Sequence, residues 1–196
     1  ISEYAPDGSL ADLLKRDGQI PIEDAVRLTI GITAGLEFLH SRRIIHRDLK
    51  PANILLQGKN PRLADFGISH ALQTSVSSQS KNIKGTFSYM PPEAFDGKRN
   101  EQTDIWSIGV ILYQMLRSSL PFPQENTTEL IGALVRHEPE PLPKEIPAKL
   151  REVVTKCLAK LPENRYKSAK DLRLDLEKIL VGISHPGFAV TEVLTP

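Results

Sequence analysis

HRDLKPAN at residues 46–53 and DFG at residues 65–67 are the two stretches from which the organisation of this chain can be worked out. They contain three residues with oxygen-bearing side chains, Asp48, Asn53 and Asp65. A carboxylate can orient an attacking hydroxyl, and an Asp with an Asn carbonyl supplies the hard oxygen ligands that Mg²⁺ prefers. Phosphoryl transfer needs positioning and charge neutralisation more than covalent chemistry. The two stretches therefore predict a phosphoryl-transfer site.

The segment between these motifs predicts a small β-hairpin. Short runs at Ile54–Leu56 and Arg62–Ala64 stand on either side of the turn-forming segment Gly58–Pro61. Lys50 lies two residues beyond Asp48, where a cation can steady a phosphoryl group during its transfer.

Helical periodicity dominates the rest of the chain. A long helix is predicted from about Pro21 to His40, and a short one after Ser9, a typical N-cap residue. The segment from Asp104 to Arg117 is apolar nearly all round, which predicts a buried helix. Three further helices are expected to begin near Asn126, Leu150 and Ser168. With about seven helices and two short strands, the chain is predicted to be mainly α.

The composition gives no sign of a nucleic-acid or membrane partner. The 196 residues include 25 Lys and Arg against 24 Asp and Glu, so the net charge of +1 gives no reason to expect nucleic acid or a membrane surface. Cys157 is the one cysteine, which favours a reducing, cytoplasmic compartment. No apolar run is long enough to span a bilayer, and the first residues lack the pattern of a signal peptide.

A DFG tripeptide alone is commonly accidental, but here both motifs occur in register and are followed by Pro-Pro-Glu at residues 91–93. On these motifs the chain resembles the C-terminal lobe of Hanks-type serine/threonine protein kinases, an α+β family whose large lobe is mainly α. The resemblance implies a hinge segment at residues 1–8, the lobe at 9–181, and a tail or linker at 182–196.

The resemblance implies a catalytic role for each motif residue. Asp48 would be the catalytic base, and Lys50 would mark specificity for Ser and Thr over Tyr. Asn53 and Asp65 would bind Mg²⁺. The hydroxyl of Thr86 would lie near Asp48 and Lys50, facing the substrate.

The resemblance also implies an ATP site at the hinge. Ser2 would be a small gatekeeper, Ala5 would contact adenine through its backbone, and Leu55 would lie beneath the base. The full set of residues implied to bind the cofactor is Glu3, Ala5, Ser9, Leu55, Asn53 and Asp65.

Three further interactions are implied. Glu93 would form an ion pair with Arg165, and Asp104 would hold the backbone of the catalytic loop from the buried helix. His46 and Phe66 would stack in the hydrophobic column that assembles in the active state. Gly67, the glycine of the DFG motif, would adjoin it.

Arg47 suggests regulation, because in the family such an Arg commonly pairs with a phosphate on the activation loop. Ser78 and Ser80 are the better candidates for phosphorylation, and His70 falls where the family often has a second cation. The alternatives are a simple Ser-rich loop and an exposed loop His.

Other residues receive structural interpretations. Lys98-Arg99, near Asp96, is typical of a solvated surface turn. Cys157 lies on an apolar helical stripe and is expected in the core. The spacing of the remaining histidines does not predict a zinc site: His40, His137 and His185.

Two functions remain open. The first is an ATP- and Mg²⁺-dependent enzyme that phosphorylates Ser or Thr of a protein substrate. The second is a half-kinase that acts as a non-catalytic protein-binding or regulatory module. The family's Gly-rich loop, its ATP-anchoring Lys and the helix with the partner Glu would precede Ile1, in an N-terminal lobe. Without that lobe, we expect this chain alone to be inactive.

Overall fold

The computed structural model describes residues 7–65 and 87–184. Within these ranges the chain forms six α-helices, three short 3₁₀ turns and one two-stranded antiparallel sheet. The helices are α1 (Leu10–Asp17), α2 (Ile22–His40), α3 (Glu101–Arg117), α4 (Thr127–Arg136), α5 (Ala148–Cys157) and α6 (Ala169–Ser184). The strands are β1 (Ile54–Gln57) and β2 (Asn60–Leu63). The 3₁₀ turns span Pro51–Asn53, Pro92–Asp96 and Pro162–Asn164. The mainly α fold predicted from the sequence is confirmed, with six α-helices in the described part where about seven were expected.

Side-chain caps mark the starts of α1 and α3. The Ser9 side chain accepts a hydrogen bond from the Asp12 backbone N–H, and the Asp12 carboxylate accepts one from the Ser9 backbone, which completes a capping box. Helix α3 begins at Glu101, earlier than the predicted Asp104, because Asn100 caps it by accepting from the Thr103 backbone N–H.

Helix α3 forms the centre of the core. Trp106, Ile105 and Leu112 are each fully buried on it, as its apolar sequence predicts. Helix α5 approaches so closely that a Cβ on Gly109 would come within 2.6 Å of the Cβ of Cys157, so Cys157 is a core residue as expected. No helix in the two described ranges is both long enough and apolar enough to cross a bilayer.

The hairpin lies against α2. Its register pairs Ile54 with Leu63 and Leu56 with Pro61. Pro61 therefore belongs to strand β2 and not to the turn where the sequence placed it. A proline is tolerated here because a two-stranded sheet consists of edge strands, which have backbone positions that need no N–H donor.

Candidate active site

Asp48, Lys50 and Asn53 form a connected polar cluster. The Nζ of Lys50 lies 2.9 Å from Oδ2 and 3.2 Å from Oδ1 of Asp48. Asn53 donates from Nδ2 to the Asp48 backbone oxygen at 2.8 Å and to Asp48 Oδ2 at 3.1 Å. The Asp48 side chain is 20% exposed, so its carboxylate is held in place and still faces solvent. Such a carboxylate can accept a proton from a bound hydroxyl.

Asp65 is brought to this cluster by the hairpin. The Ala64 N–H donates to the Asn53 carbonyl at 2.9 Å, which joins the end of β2 to the residue before β1. Asp65 follows directly with a φ of 57°, in the left-handed region that non-glycine residues seldom adopt. Residues held in such conformations cluster at functional sites.

The donor set around Asn53 and Asp65 fits Mg²⁺. Because the Asn53 amide nitrogen is hydrogen-bonded to Asp48, the amide is oriented with Oδ1 available as a ligand. Mg²⁺ is commonly bound by one or two protein oxygens together with substrate phosphates. Within the described residues, no group of three or more His, Cys, Asp or Glu side chains could hold a metal ion. Mg²⁺ held by Asn53 and Asp65 would also need phosphate oxygens and water as ligands.

Asp104 holds the start of the catalytic loop from the first turn of α3. Its Oδ2 accepts from the His46 backbone N–H at 2.9 Å, and its Oδ1 accepts from the Arg47 backbone N–H at 3.0 Å. The Asp104 side chain is 1% exposed, and Arg47 has a φ of 71°. A buried carboxylate that receives two backbone donors fixes this unusual backbone conformation in the residue directly before Asp48. The contact expected between Asp104 and the loop backbone is present.

His40 is a member of this network that the sequence did not indicate. Its Nε2 lies 2.8 Å from Asp104 Oδ2, although the two residues are 64 positions apart. The side chain is 5% exposed, and its Nδ1 lies 3.8 Å from Glu101 Oε2. His40 thus joins the end of α2 to the start of α3 where the loop begins. A helical histidine has no local signal for such a role.

His46 is fully buried within the loop. Burial lowers the pKa of its imidazole, although the nearby Asp104 carboxylate opposes this effect. The lower pKa favours the neutral ring.

Glu93 and Arg165 form the ion pair expected from the sequence. Nη1 and Nη2 of Arg165 contact the two carboxylate oxygens of Glu93 at 2.7 and 2.9 Å. The Arg165 side chain is 0% exposed and that of Glu93 is 10% exposed. The guanidinium also lies 4.9 Å from the ring centroid of Trp106. It donates to three backbone carbonyls, those of Ala159, Lys160 and Gln102.

Arg99 was wrongly predicted as part of a solvated turn. Lys98 is exposed, but Arg99 is half-buried and donates from Nη1 to the Arg47 carbonyl at 3.3 Å. The residue turns inward because the catalytic loop presents this carbonyl beside the turn before α3. The Nε of Arg47 is buried and has no hydrogen-bond partner in the described part of the chain.

Ser9 and Leu55, two of the residues implied to bind nucleotide, are neighbours. They form an isolated antiparallel bridge, and the Leu56 N–H donates to the Gly8 carbonyl at 2.9 Å. The Ser9 hydroxyl donates to Asp12 Oδ2 at 2.6 Å, so it also serves the cap of α1. Leu55 is half-buried on β1.

The remaining expected site residues lie outside the described residues, and their roles stay predictions. They are Ser2, Glu3, Ala5, Phe66, Gly67, His70, Ser78, Ser80 and Thr86.

Comparison with known proteins is consistent with this geometry. Residues 1–174 match the protein kinase domain family. Serine/threonine-protein kinase PknB of Mycobacterium leprae is 35% identical over 188 residues, which cover 93% of this chain and 30% of that protein. A probable serine/threonine-protein kinase of Clostridium perfringens is 33% identical over 91% of this chain and 27% of its own length. One from Streptomyces coelicolor is 33% identical over 93% of this chain and 28% of its own. The chain thus spans less than a third of the length of these relatives.

Proposed function

The chain belongs to the protein kinase domain family, and on that premise we propose that its protein transfers the terminal phosphoryl group of ATP to Ser or Thr hydroxyls of protein substrates. The observation that carries the proposal is the cluster of Asp48, Lys50 and Asn53, with the cation 2.9 Å from the carboxylate. The names of the relatives, serine/threonine-protein kinases, support the choice of substrate hydroxyl.

Asp48 orients the attacking hydroxyl in this proposal. Its carboxylate accepts the hydroxyl hydrogen bond and takes the proton as the oxygen bonds to the terminal phosphorus. The bond from that phosphorus to the bridging oxygen breaks at the same time, and ADP leaves. The hydrogen bonds from Asn53 and Lys50 fix the carboxylate, so little reorganisation is needed during the reaction. Lys50 can also stabilise the charge on the phosphoryl oxygens, since its ammonium lies beside the acceptor.

Asn53 and Asp65 would hold Mg²⁺. When bound, the ion neutralises phosphate charge and aligns the phosphates. Asn53 would contribute Oδ1, because its amide nitrogen is committed to Asp48. Asp65 would contribute its carboxylate. The hydrogen bond between the Ala64 N–H and the Asn53 carbonyl supports this joint role, since it holds the two residues at one end of the hairpin.

Regulation by phosphorylation is a further part of the proposal. The Arg47 guanidinium would pair with a phosphate carried by Ser78 or Ser80, because a phosphate offers three strong acceptor oxygens. The buried Nε of Arg47, which lacks a partner within the described ranges, supports this role. A cytoplasmic location is proposed on the single cysteine.

The alternative, a non-catalytic binding module, has less support. A module selected only for binding would have no need of a carboxylate, a cation and an amide in mutual contact with solvent access. The side chains of Asp48 and Lys50 are 20% and 24% exposed, as a site that receives substrate requires.

Replacing Asp48 tests the proposal. In the full-length protein, Asp48→Asn should lower phosphoryl transfer to a Ser/Thr protein about 10²–10⁴-fold, because the amide cannot accept the proton. The readout is incorporation of labelled phosphate. Asp17→Asn, which alters an exposed carboxylate paired with Arg16, is the matched control and should retain the wild-type rate.

The outcomes separate the two functions. A wild-type rate in Asp48→Asn would show that Asp48 is not the base. A wild-type protein that binds ATP and Mg²⁺ but transfers no phosphate to any Ser/Thr protein would favour the non-catalytic module.

A further inference from the structure

We propose that Gly31 and Gly35 of α2 are positioning residues for the metal ligands Asn53 and Asp65. The inference rests on the proposed function and adds to it a determinant of Mg²⁺ binding that lies on a helix behind the site. Neither glycine belongs to the motifs that identify the site, and a glycine inside a helix is unfavourable by about 1 kcal/mol relative to alanine. A packing reason must therefore offset that cost.

The packing reason is the close approach of strand β2. A Cβ on Gly31 would lie 2.6 Å from Cγ and 2.7 Å from Cδ of Pro61. A Cβ on Gly35, one turn later, would lie 3.1 Å from Cδ1 of Leu63. The two glycines thus form a groove on α2 that receives two alternate side chains of the strand, which point to the same face.

This strand sets the position of Asp65. Strand β2 ends at Leu63, and Asp65 follows after Ala64. The partner strand β1 begins at Ile54, directly after Asn53. The Ala64 N–H donates to the Asn53 carbonyl at 2.9 Å, so the hairpin carries both proposed ligands at its open end. A displacement of the hairpin against α2 therefore moves both ligands and strains the hydrogen bonds that Asn53 donates to Asp48.

Asp48 is linked to the hairpin by the hydrogen bonds from Asn53 Nδ2, but its loop has a second support on another helix. The backbone N–H groups of His46 and Arg47 are bound by Asp104 on α3. The distance between the base and the metal ligands thus depends on how deeply β2 seats on α2.

The size of the effect follows from the clash. Ordinary contact begins at 3.4 Å, so the 2.6 Å approach of a Gly31 methyl to the Pro61 ring would have to open by up to about 0.8 Å between helix and strand. The ring cannot rotate away, and Pro61 is paired through the backbone with Leu56, which is 4% exposed. A misplacement of about 1 Å costs up to about 10²-fold in rate. Gly35 needs a shift of only about 0.3 Å, which predicts a smaller effect.

The experiment compares alanine variants of the full-length protein. Gly31→Ala should lower kcat by about 10–10²-fold and raise the Mg²⁺ concentration for half-maximal rate, and Gly35→Ala should do so less. Gly132→Ala is the matched control, because Gly132 is a helical glycine at which an added Cβ would have nothing within 4 Å. Control rates and Mg²⁺ dependence should match the wild type.

A rescue variant separates positioning from general destabilisation. Pro61→Ala removes Cγ and Cδ, the two atoms that a Gly31 methyl would meet. The double variant Gly31→Ala/Pro61→Ala should therefore recover most of the wild-type kcat and Mg²⁺ dependence. The inference is overturned if Gly31→Ala changes only the unfolding temperature, or if the double variant is no better than Gly31→Ala. If Gly31→Ala does not fold, the same criteria apply to Gly35→Ala, with Leu63→Ala as the rescue because a Gly35 methyl would meet Cδ1 and Cγ of Leu63.

A binding measurement distinguishes failure of this inference from failure of the proposed function. Mg²⁺ affinity is measured by calorimetry in the presence of a non-hydrolysable ATP analogue, which needs no turnover. If the wild type proves inactive but binds Mg²⁺, the proposed function fails while weaker binding by Gly31→Ala still supports positioning. Equal Mg²⁺ affinity in the wild type and Gly31→Ala overturns the inference whatever the activity.

Discussion

Replacing Arg165 by alanine should destabilise the protein by about 3–5 kcal/mol, because it leaves a buried carboxylate without its partner. Arg165 is 0% exposed, and Glu93, which it contacts through two parallel hydrogen bonds, is 10% exposed. Desolvation makes an uncompensated charge at this depth costly. The carbonyls of Ala159, Lys160 and Gln102 would also lose a donor.

The expected loss is large against the whole stability of a domain, which is typically about 5–15 kcal/mol. Arg165→Lys should cost less than Arg165→Ala, since it keeps the charge but cannot form the bidentate contact. In the double variant Glu93→Gln/Arg165→Met no unpaired charge remains. Its cost should therefore be smaller than the sum of the two single variants by about 0.5–3 kcal/mol.

Denaturant unfolding followed by circular dichroism measures these differences. The control is Arg27→Ala, which removes the ion pair with Glu23. The side chain of Arg27 is 47% exposed and that of Glu23 is 43% exposed. Exposed pairs contribute about 0–1 kcal/mol, so this variant should unfold near the wild-type midpoint. If Arg165→Ala were no less stable than Arg27→Ala, the burial argument would be refuted.

Two further perturbations test other parts of the network. Asp104→Asn should lower kcat at least about tenfold and stability by about 1–3 kcal/mol, because an amide has only one acceptor oxygen for the two loop N–H groups. Initial rates measure kcat, and denaturant unfolding measures the stability. An unchanged kcat would contradict the anchoring role. Burial lowers the pKa of Lys160 from 10.5 to about 8, so between these pH values the unfolded chain binds more protons and Lys160 makes stability rise with pH. Lys160→Met should remove this rise in stability. The free energy of unfolding of the variant is compared with that of the wild type across pH 7–11, because the raised pKa of Cys157 acts in the opposite direction in both proteins. Parallel pH profiles of the two proteins would disprove the role of Lys160.

The elements that could be predicted from the sequence are those with local signals. Helix α2 follows from apolar spacing, and the hairpin follows from two short runs around Gly58. The start of α3 was misplaced because the apolar pattern begins only after Asp104, whereas the helix itself begins beyond the polar cap Asn100. The motif residues Asp48 and Asn53 were found because their chemistry is encoded within a single short stretch.

The parts that could not be predicted depend on contacts between distant elements. His40 meets Asp104 across 64 positions, and neither residue has a neighbour in sequence that signals the other. Arg99 follows an exposed lysine, yet it reaches a loop carbonyl. Gly31 and Gly35 weaken the helical pattern locally, and only the approach of β2 explains them. Such residues are specified by packing, which periodicity does not report.

The geometry of the site depends on the packing of two helices. Asp104 on α3 holds the two loop residues directly before Asp48, and the hairpin that carries Asn53 and Asp65 packs on α2. Because the His40 side chain of α2 hydrogen-bonds the same Asp104 carboxylate, the two supports meet at one buried contact. The loop residues can therefore keep irregular backbone conformations and still hold their relative positions. Buried side chains on two helices fix the loop, which has no regular secondary structure of its own.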